Sequence, residues 1–443
     1  MTEKKQDKPS LIFITGNAGT GKTTLLKHLT DQLEIIPDSD NQEFLDACYS
    51  VKEGNKIIVA PTGVAAINAG GTTINSFFQI NPYKKYDSAS MSTNQMYSEF
   101  KYKRDKKELI NEIDVLIIDE ISMVKAEMLD LIDKILRTFR GTYDKVFGGV
   151  QVVVFGDLFQ LPPIHSKEAN SQYRTEFFFS AKVFHECYFN EKFKYIELQK
   201  IYRQKSDTFI SVLNNIRDGS IKKEQLDELN KRCLTPDSDE KFITLSTHNK
   251  NVDSINSERY SKLTTEEKTF EADVFGEFKD EFFKGIQKVS VKIGAQVMVI
   301  KNNHGRGYYN GMIGSVKEIN ENNVIITDSK GIDRRIEREK WEKVEPYYDE
   351  MTETIRLKVL GKFEQIPLKL AWAVTVHKSQ GLTFDNVIAD VESSFDSGQV
   401  YVALSRCTSI EGLYLKNEIP ITAIKVNSDV VNFTNYIKNR LLV

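Results

Sequence analysis

The sequence of 443 residues predicts an α/β protein built on two parallel β-sheets, each covered by helices. Two observations predict this class. Short apolar runs rich in β-branched residues alternate with helical patterns, and Gly, Pro or Asp bounds each run. Fully apolar runs of this kind are typical of parallel strands that are buried on both faces.

The runs fall into two series. The first lies at 11–15, 56–60, 114–119 and 150–157, and the second at 194–198, 241–246, 384–391 and 412–415. A chain of 443 residues also exceeds what one core usually holds, since most domains have about 100–200 residues. Two cores are therefore the economical interpretation.

Two stretches interrupt the alternation of strands and helices. Residues 79–107 are polar, aromatic and basic, with little strand character. Residues 290–368 combine short alternating segments with glycine turns, which predict a small all-β insertion. The predicted organisation is a first core at 1–78 and 108–193, an insertion at 79–107, a second core at 194–289 and 369–443, and the β insertion at 290–368.

Composition predicts a soluble, intracellular protein of the cytoplasm. No apolar stretch approaches the roughly 20 residues that span a bilayer, and the charged N-terminus lacks a signal-peptide core. The four cysteines have no metal-ligand spacing, so we expect neither a zinc site nor disulfides.

The net charge of -3 means that any nucleic-acid surface must be a local basic groove. One candidate is the basic cluster of Lys101, Lys103, Arg104, Lys106 and Lys107. A solvated helix face is an equal alternative for this run.

The segment GNAGTGKT at 16–23 matches G-x-x-x-x-G-K-[ST], after a strand and before a helix-favouring stretch. Its glycines turn backbone N–H groups towards phosphates, Lys22 reaches the β- and γ-phosphates, and the Thr23 hydroxyl ligates Mg²⁺. This order disfavours a chance glycine-rich turn and predicts an ATP or GTP site. The predicted nucleotide-binding residues are Gly16, Ala18, Gly19, Thr20, Gly21, Lys22, Thr23 and Thr24.

Polar residues follow two further strands. Asp119 and Glu120 end the run at 114–119, where ligands bind in open α/β sheets. Asp119 is predicted to hold Mg²⁺ and Glu120 to polarise the attacking water. Gln160 follows the run at 150–157 and is predicted to contact the γ-phosphate and this water. An exposed turn for the carboxylates and a polar loop for Gln160 are the alternatives.

Arg203 and Arg406 lie in the second half of the chain. An arginine brought across a domain cleft stabilises the charge of the transition state, because its planar fork matches phosphate oxygens. From spacing alone, an ordinary salt bridge is as good an interpretation of either residue.

Taken in order, these segments resemble superfamily 1 helicases, and most closely the petite-integration-frequency family, which is related to the RecD and Dda helicases. The resemblance covers almost the whole chain. It is carried by the 16–23 motif and by APTGVAAINAGGTTINSFF (60–78), IIDEISMV (117–124), FGGVQVVVFGDLFQLPP (147–163), LQKIYRQKSDTF (198–209), LSTHNKNVDSIN (245–256), GAQVMVIKNN with YYNGMIGSV (294–316), AWAVTVHKSQGLTFDNV (371–387) and GQVYVALSRCTS (398–409). The stretch LDLIDKILRTFRG before FGGVQ is similar to the family's own signature.

The resemblance implies two RecA-like cores, a wedge at 79–107 and a small β-barrel at 290–368. It implies Mg²⁺-dependent ATP hydrolysis, 5′ to 3′ translocation on single-stranded DNA and unwinding of forked duplexes. G-quadruplexes and RNA–DNA hybrids are further substrates to expect, in replication, repair or recombination and, for the family, telomere maintenance. Arg203 and Arg406 become γ-phosphate arginines, and Gly381 becomes a main-chain phosphate contact. We also expect a monomer in the absence of DNA and, if the source is bacterial, association with the nucleoid.

The resemblance also implies DNA contacts. Small hydroxyl, amide and backbone groups suit phosphate contacts that position a strand without reading its sequence. Phe77 or Phe78 is expected to stack a base, with core packing as the alternative for at least one. A buried structural role is the alternative for His377. The predicted DNA-contacting residues are Thr62, Gly63, Thr73, Asn75, Phe77, Pro82, Asn249, Lys250, Thr375 and His377.

The chain departs from the family pattern in two places. Related chains carry an adenine-contacting glutamine well upstream of the P-loop, whereas Gln6 lies too close to it, which puts adenine specificity in doubt. Asn75 stands where a histidine is common, and we expect a weaker contact there.

Two other classes compete with a helicase. A nucleic-acid-binding clamp switched by ATP would bind DNA without processive unwinding. A P-loop kinase or GTPase is disfavoured, because the chain lacks a guanine-reading N-K-x-D segment, and Gln160 with two late arginines is more than a small-molecule kinase needs.

Overall fold

The first core is a six-stranded parallel sheet with both faces buried. A computed structural model of the chain describes residues 8–33, 41–164, 172–233, 242–276, 278 and 281–441. The strands, in the sheet order β3-β2-β4-β5-β1-β6, are β1 (Leu11–Gly16), β2 (Lys56–Ala60), β3 (Thr72–Thr73), β4 (Val115–Ile118), β5 (Gln151–Phe155) and β6 (Phe193–Leu198). Leu11 and Phe13 of β1 enter one apolar cluster, while Ile12 and Ile14 enter another. The alternation places one cluster on each face of the sheet, as expected for a parallel sheet under two helical layers.

Helices connect these strands. They are α1 (Lys22–Leu29), α2 (Gln42–Ser50), α3 (Gly63–Ala69), α4 (Ile74–Phe77), α5 (Thr93–Glu99), α6 (Arg104–Asn111), α7 (Ala126–Arg140) and α8 (Lys182–Phe189). Helix α5 begins with a capping box formed by Ser92 and Gln95, which satisfies free N–H groups at its start. The insertion predicted at 79–107 therefore contains a helix, and its last residues already belong to α6.

The chain enters the second core through α9 (Asp207–Asp218) and α10 (Lys223–Asn230). The strand β7 (Ile243–Ser246) and the helix α11 (Asn249–Ser261) follow. Phe209, Leu213 and Ile216 of α9 are buried at helical spacing and pack into the same apolar cluster as β7.

An antiparallel unit then interrupts the second core. Its elements are β8 (Lys268–Glu271), β9 (Asp273–Phe275), α12 (Glu281–Lys284), β10 (Lys288–Val291), β11 (Gln296–Val299), β12 (Ile313–Ile319), β13 (Asn323–Asp328), β14 (Asp333–Glu337), β15 (Glu339–Asp349), β16 (Thr354–Gln365) and β17 (Leu368–Leu370). The sheets have the orders β14-β13-β12-β11-β17, β15-β16-β9 and β10-β8. The unit is mainly antiparallel β-structure, but it contains the short helix α12, and its strands begin at Lys268 rather than at 290.

The second core resumes with β18 (Ala373–Thr375), β19 (Val387–Asp390), α13 (Gln399–Ser405), β20 (Leu413–Leu415) and α14 (Ser428–Leu441). Its parallel sheet has the order β18-β7-β19-β20. Three of the runs predicted for this core, at 241–246, 384–391 and 412–415, supply its strands β7, β19 and β20.

The prediction that 194–198 opens the second core is wrong. Strand β6 pairs in parallel with β1 over its full length, so it is an edge strand of the first sheet. An apolar run shows that a strand forms but not which sheet accepts it.

Helix α14, predicted within the second core, packs on the first core instead. The ring of Phe433 stacks on Phe179 with 4.3 Å between centroids, and Nζ of Lys438 lies 2.8 Å from an Oε atom of Glu197 in β6. The C-terminal helix therefore ties the two cores together. No helix in the described part of the chain is long and apolar enough to cross a membrane.

Candidate nucleotide site and DNA-facing surface

The glycine-rich loop at 16–23 connects β1 to α1 as predicted. Gly19 has a φ of +84°, and a Cβ atom there would lie 2.6 Å from Cβ of Arg203. The loop needs glycine at this position both for its left-handed backbone and for the close approach of the chain segment that carries Arg203.

Lys22, at the start of α1, points back over the loop. Its Nζ donates to the carbonyl oxygens of Gly16 at 2.6 Å and Asn17 at 2.9 Å. Burial lowers the pKa of Lys22 to about 8, against the opposing effect of Asp157 and Glu120. A buried ammonium group held by neutral carbonyls is well placed to exchange them for phosphate oxygens.

The carboxylates of Asp119 and Glu120 lie at the carboxyl end of β4. Burial raises the pKa of Asp119 to about 6, and burial together with Asp119 raises the pKa of Glu120 to about 7. Glu120 has a φ of +52°, an unusual backbone conformation for a residue other than glycine. Backbone strain of this kind clusters at functional sites, where it fixes the direction of a side chain.

Gln380 of the second core forms hydrogen bonds with both Glu120 and Gln160 of the first core. Nε2 of Gln380 donates to Oε2 of Glu120 at 2.9 Å and to Oε1 of Gln160 at 3.3 Å. Nε2 of Gln160 in turn lies 3.4 Å from Oδ2 of Asp157. Gln160 is thus a member of a hydrogen-bond chain rather than an isolated polar loop residue.

Arg203 lies in the connection between β6 and α9, and Arg406 directly follows α13. Nη1 of Arg203 donates to the carbonyl oxygen of Ser405 at 3.1 Å, and Nη2 of Arg406 donates to the hydroxyl of Ser405 at 3.0 Å. Burial, and next the neighbouring Arg406, lowers the pKa of Arg203 to about 9; burial also lowers the pKa of Arg406. Two guanidinium groups that meet in a buried place are strongly disposed to bind an anion.

These groups surround one cavity of about 680 Å³ between the two cores. Of the predicted residues, the cavity is lined by Ala18, Gly19, Thr20, Gly21, Lys22, Thr23, Thr24, Asp119, Glu120, Gln160, Arg203, Gly381 and Arg406. Gly16 contributes its carbonyl oxygen to Lys22 instead. The sequence analysis missed Asn41, Phe44, Tyr202 and Thr383, which complete the lining.

Of these four residues, Tyr202 and Thr383 had a usable signal, because Tyr202 adjoins Arg203 and Thr383 lies two residues after Gly381. Asn41 and Phe44 belong to no motif, and Nδ2 of Asn41 lies 3.3 Å from the Tyr202 hydroxyl. Phe44 and Tyr202 provide flat surfaces beside the P-loop. Gln6, considered for adenine recognition, lies outside the described residues.

The small polar residues predicted to contact DNA in the first core mark helix starts. Thr62 caps α3 by accepting from the backbone N–H of Ala65 at 3.2 Å, and Thr73 caps α4 by accepting from Ser76 at 3.1 Å. Gly63 is the first residue of α3, and Asn75 lies half-buried in α4. Helix N-termini carry partial positive charge, which suits a phosphate backbone.

In the second core, Asn249, Lys250 and His377 are exposed, and they follow the carboxyl ends of β7 and β18. The alternative of a buried structural His377 is therefore not supported. Thr375 is only 4% exposed, and its hydroxyl accepts from the backbone N–H of Lys378 at 3.3 Å. The Thr375 hydroxyl supports this loop as the hydroxyls of Thr62 and Thr73 support their helices, and a DNA contact from it stays a prediction.

The expectation that Phe77 stacks a base is not met. Phe77 is 3% exposed and Phe78 is fully buried, with their rings edge to face at 4.8 Å. Nζ of Lys106 lies 3.5 Å from the centre of the Phe77 ring, so a cation covers the ring on its outer side. Core packing, the alternative stated above, is what the structure shows for both residues.

The remaining predicted residues of the insertion are at the surface. Pro82 is exposed beside Tyr83, which is 96% exposed. In the basic cluster, Lys101, Lys103, Arg104 and Lys107 are exposed, whereas Lys106 is half-buried against Phe77.

Two parallel-sheet cores with a P-loop, paired acidic residues and two arginines around one cleft define a P-loop protein with the RecA-like helicase fold. Comparison with known proteins identifies the family. The family of PIF1-like helicases matches residues 1–227, and the chain belongs to it. The crystal structure of Bacteroides sp. Pif1 in complex with ADP-AlF4 aligns with a TM-score of 0.81 and 35% identity, over 98% of this chain and 95% of that chain.

Two curated relatives illustrate the range of lengths. The ATP-dependent DNA helicase PIF1 of Danio rerio is 33% identical over 98% of this chain and 62% of its own length. The ATP-dependent DNA helicase Pif1 of Campylobacter jejuni is 28% identical over 95% of this chain and 94% of its own length. The chain thus spans about three fifths of the vertebrate relative, but nearly all of the bacterial one.

Proposed function

We propose that the chain is an ATP-dependent DNA helicase that translocates 5′ to 3′ on single-stranded DNA and unwinds duplex DNA. One observation carries the proposal. The cavity between the cores combines the P-loop and Glu120 of the first core with Arg406 of the second. ATP bound there contacts both cores, so that hydrolysis changes the contacts between them.

The roles of the site residues follow from their positions. Lys22 binds the β- and γ-phosphates, and Glu120 accepts a proton from the attacking water. Gln160 and Gln380 connect the two cores next to Glu120. Arg203 and Arg406 stabilise the charge that develops on the γ-phosphate, and the backbone of Gly381 adds a phosphate contact.

The residues of the site fit Mg²⁺. Thr23 and Asp119 line the same cavity, and burial raises the pKa of Asp119 to about 6, as expected for a carboxylate that a cation would stabilise. The described residues contain no group of three or more His, Cys, Asp or Glu side chains suited to a metal. Mg²⁺ needs no such group, because it keeps waters and phosphate oxygens and takes only one or two protein ligands. When bound, it neutralises phosphate charge.

DNA as the substrate is supported by relatives. The Bacteroides protein has been solved bound to single-stranded DNA, and another structure describes unwinding at forked duplex DNA by two coordinating Pif1 helicases. For this chain we propose that the strand crosses Thr62, Gly63, Thr73 and Asn75 of the first core and Asn249, Lys250, Thr375 and His377 of the second. Residues 79–107 with Pro82 would split the fork, and the β insertion would act as a small barrel around the strand.

We further propose a monomer in the absence of DNA and a location with the intracellular DNA, in replication, repair or recombination. Forked duplexes, G-quadruplexes and RNA–DNA hybrids are the structures to compare as substrates.

The test is ATP-dependent strand separation on matched partial duplexes with a 5′ or a 3′ single-stranded tail. Unwinding of the 5′-tailed substrate alone supports the motor and its direction. A preference for the 3′ tail would keep the helicase and overturn the direction. Single-strand-stimulated ATP hydrolysis without unwinding of either substrate would instead indicate the ATP-switched clamp.

A further inference from the structure

The second core also contacts the first outside the nucleotide cavity. Helix α9 supplies the side chains of Asn214 and Arg217, and helix α13 supplies that of Tyr401. These three side chains do not line the cavity. Each contacts a segment of the first core that borders it.

The first contact is a buried ion pair. Nη2 of Arg217 lies 2.9 Å from Oδ1 of Asp157, and Nε lies 3.2 Å from the same oxygen. The Asp157 side chain is 0% exposed, and the Arg217 guanidinium lies 4.1 Å from the centre of the Phe159 ring. Asp157 also accepts from the side chain of Gln160 at 3.4 Å. A displacement of α9 therefore acts directly on the loop that carries Gln160.

The second contact is with the P-loop. The backbone N–H of Ala18 donates to the Tyr401 hydroxyl at 2.9 Å, and Nδ2 of Asn17 donates to Oδ1 of Asn214 at 2.7 Å. Tyr401 is 3% exposed, and its helix ends next to Arg406. A helix that carries a γ-phosphate arginine is thus bonded to the loop that holds the phosphates.

The start of α13 completes this set of contacts. Gly398 caps the helix with a φ of +76°, and a Cβ atom there would lie 2.5 Å from the carbonyl oxygens of both Phe159 and Gln160. Helices α9 and α13 of the second core therefore contact the same two segments of the first core, at 16–18 and 157–160.

We propose that Asn214, Arg217 and Tyr401 are positioning residues that transmit movement of the second core to the P-loop and to Gln160. The inference rests on the proposed function, since it requires that ATP closes the cleft. The alternative, that these contacts only stabilise the packing of the two cores against each other, explains the arrangement less well. A buried ion pair contributes little stability compared with apolar residues of the same volume, but it fixes one geometry strongly when both partners are present.

The first test uses Tyr401→Phe, which removes the hydroxyl that holds Ala18 and keeps the buried ring. We expect the single-strand-stimulated kcat for ATP to fall about three- to tenfold, the effect of one lost hydrogen bond. The KM for ATP should stay within about twofold, because Tyr401 does not contact the nucleotide. The matched control is Tyr173→Phe, which deletes a hydroxyl bonded to Asp130 at 2.9 Å within the first core alone. A wild-type kcat in Tyr401→Phe, or an equal loss in Tyr173→Phe, would overturn the inference.

The second test measures closure without hydrolysis. Fluorophores are attached through Tyr49→Cys in the first core and Glu228→Cys in the second, both exposed positions, with Cys48→Ser and Cys233→Ser to remove partly exposed thiols. Energy transfer is recorded against the concentration of ADP with aluminium fluoride. We expect Tyr401→Phe to need about threefold or more nucleotide for half-closure. Identical closure curves for the wild type and Tyr401→Phe would refute the inference. If the curves differ but the wild-type protein unwinds no duplex, only the helicase proposal is refuted.

Discussion

Gln380 of the second core donates a hydrogen bond from Nε2 to Oε2 of Glu120 in the first core, at 2.9 Å. The carboxylate that we assign to water activation is therefore held by a side chain from across the cleft. Gln380 also directly precedes Gly381, whose backbone lines the nucleotide cavity. The direction of the Glu120 side chain consequently depends on the separation of the cores.

The pH dependence of ATP hydrolysis should report Glu120. Burial and the neighbouring Asp119 raise its pKa to about 7, and a general base is active only when deprotonated. Below that pKa, kcat/KM for ATP should fall about tenfold per pH unit, and it should fall again above about pH 8, where Lys22 loses the proton that it needs to bind phosphate. Between these two pKa values, Glu120→Gln should lose at least about 100-fold in rate, and its acid fall should move from about pH 7 to about pH 6, where Asp119 titrates. Steady-state ATPase assays between about pH 5.5 and 9 measure both proteins, and an acid fall still centred near pH 7 in the variant would exclude Glu120 as the base.

Lys22→Ala should abolish ATP hydrolysis and unwinding while single-strand binding largely persists. The ammonium group is buried in the loop and has no replacement there. Fluorescence anisotropy with a labelled oligonucleotide measures the binding, and a phosphate-release assay measures turnover. Lys27→Ala, on the same helix but outside the cavity, is the control. Normal turnover by Lys22→Ala would disprove the assignment of the site.

Arg406→Lys should lower kcat by about 10³ and change nucleotide affinity far less, because lysine keeps the charge but not the fork that spans two phosphate oxygens. Arg406 is 1% exposed and hydrogen-bonded to the carbonyl oxygen of Val402, which fixes its direction. Arg232→Lys, at carbonyl contacts elsewhere in the second core, controls for the substitution itself. Equal losses in the two variants would count against a role at the γ-phosphate.

Arg140, at the end of α7, should be important for stability. Its guanidinium donates to the carbonyl oxygens of Gly148 at 2.9 Å, Ile110 at 2.6 Å and Ile113 at 3.1 Å, and so joins the end of α6 to the turn before β5. Arg140→Ala removes this donor from the carbonyl oxygens of Ile110 and Ile113, whereas Gly148 still accepts from the Thr142 hydroxyl. The change should cost about 2–4 kcal/mol in the free energy of unfolding. Urea denaturation measures this loss in the free energy of unfolding.

The control for Arg140 is Arg104→Ala. Arg104 forms an exposed pair with Glu108 on α6, and its loss should cost at most about 0.5 kcal/mol. Similar midpoints of urea unfolding for the two variants would show that the Arg140 contacts add little to the stability of the protein.

The catalytic side of the site was predictable because each part of it follows a strand. The P-loop, Asp119, Glu120 and Gln160 come directly after β1, β4 and β5, and parallel strands deliver their carboxyl ends to one edge of the sheet. Spacing alone left Arg203 and Arg406 open to a salt-bridge interpretation. The structure places both arginines at the cavity wall, with both guanidinium groups bonded to Ser405, and this favours the γ-phosphate role that we propose.

The base-stacking prediction for Phe77 depends on which surface the residue faces. Phe77 stands in a segment whose neighbours are predicted to contact DNA, but a phenylalanine on a four-residue helix packs inward as readily as outward, and here it packs on Phe78.

By itself, the sequence determined the α/β class, the nucleotide motif, the family and the presence of β-strands in the second insertion. These depend on local patterns, such as apolar runs, glycine positions and charged residues at fixed spacing. The tertiary structure alone decided that β6 joins the first sheet, that α14 crosses to the first core, and that Tyr401 and Arg217 contact Ala18 and Asp157. Each of these contacts joins residues far apart in the chain, and no local preference specifies which of several compatible surfaces will receive a strand, a helix or a hydrogen bond.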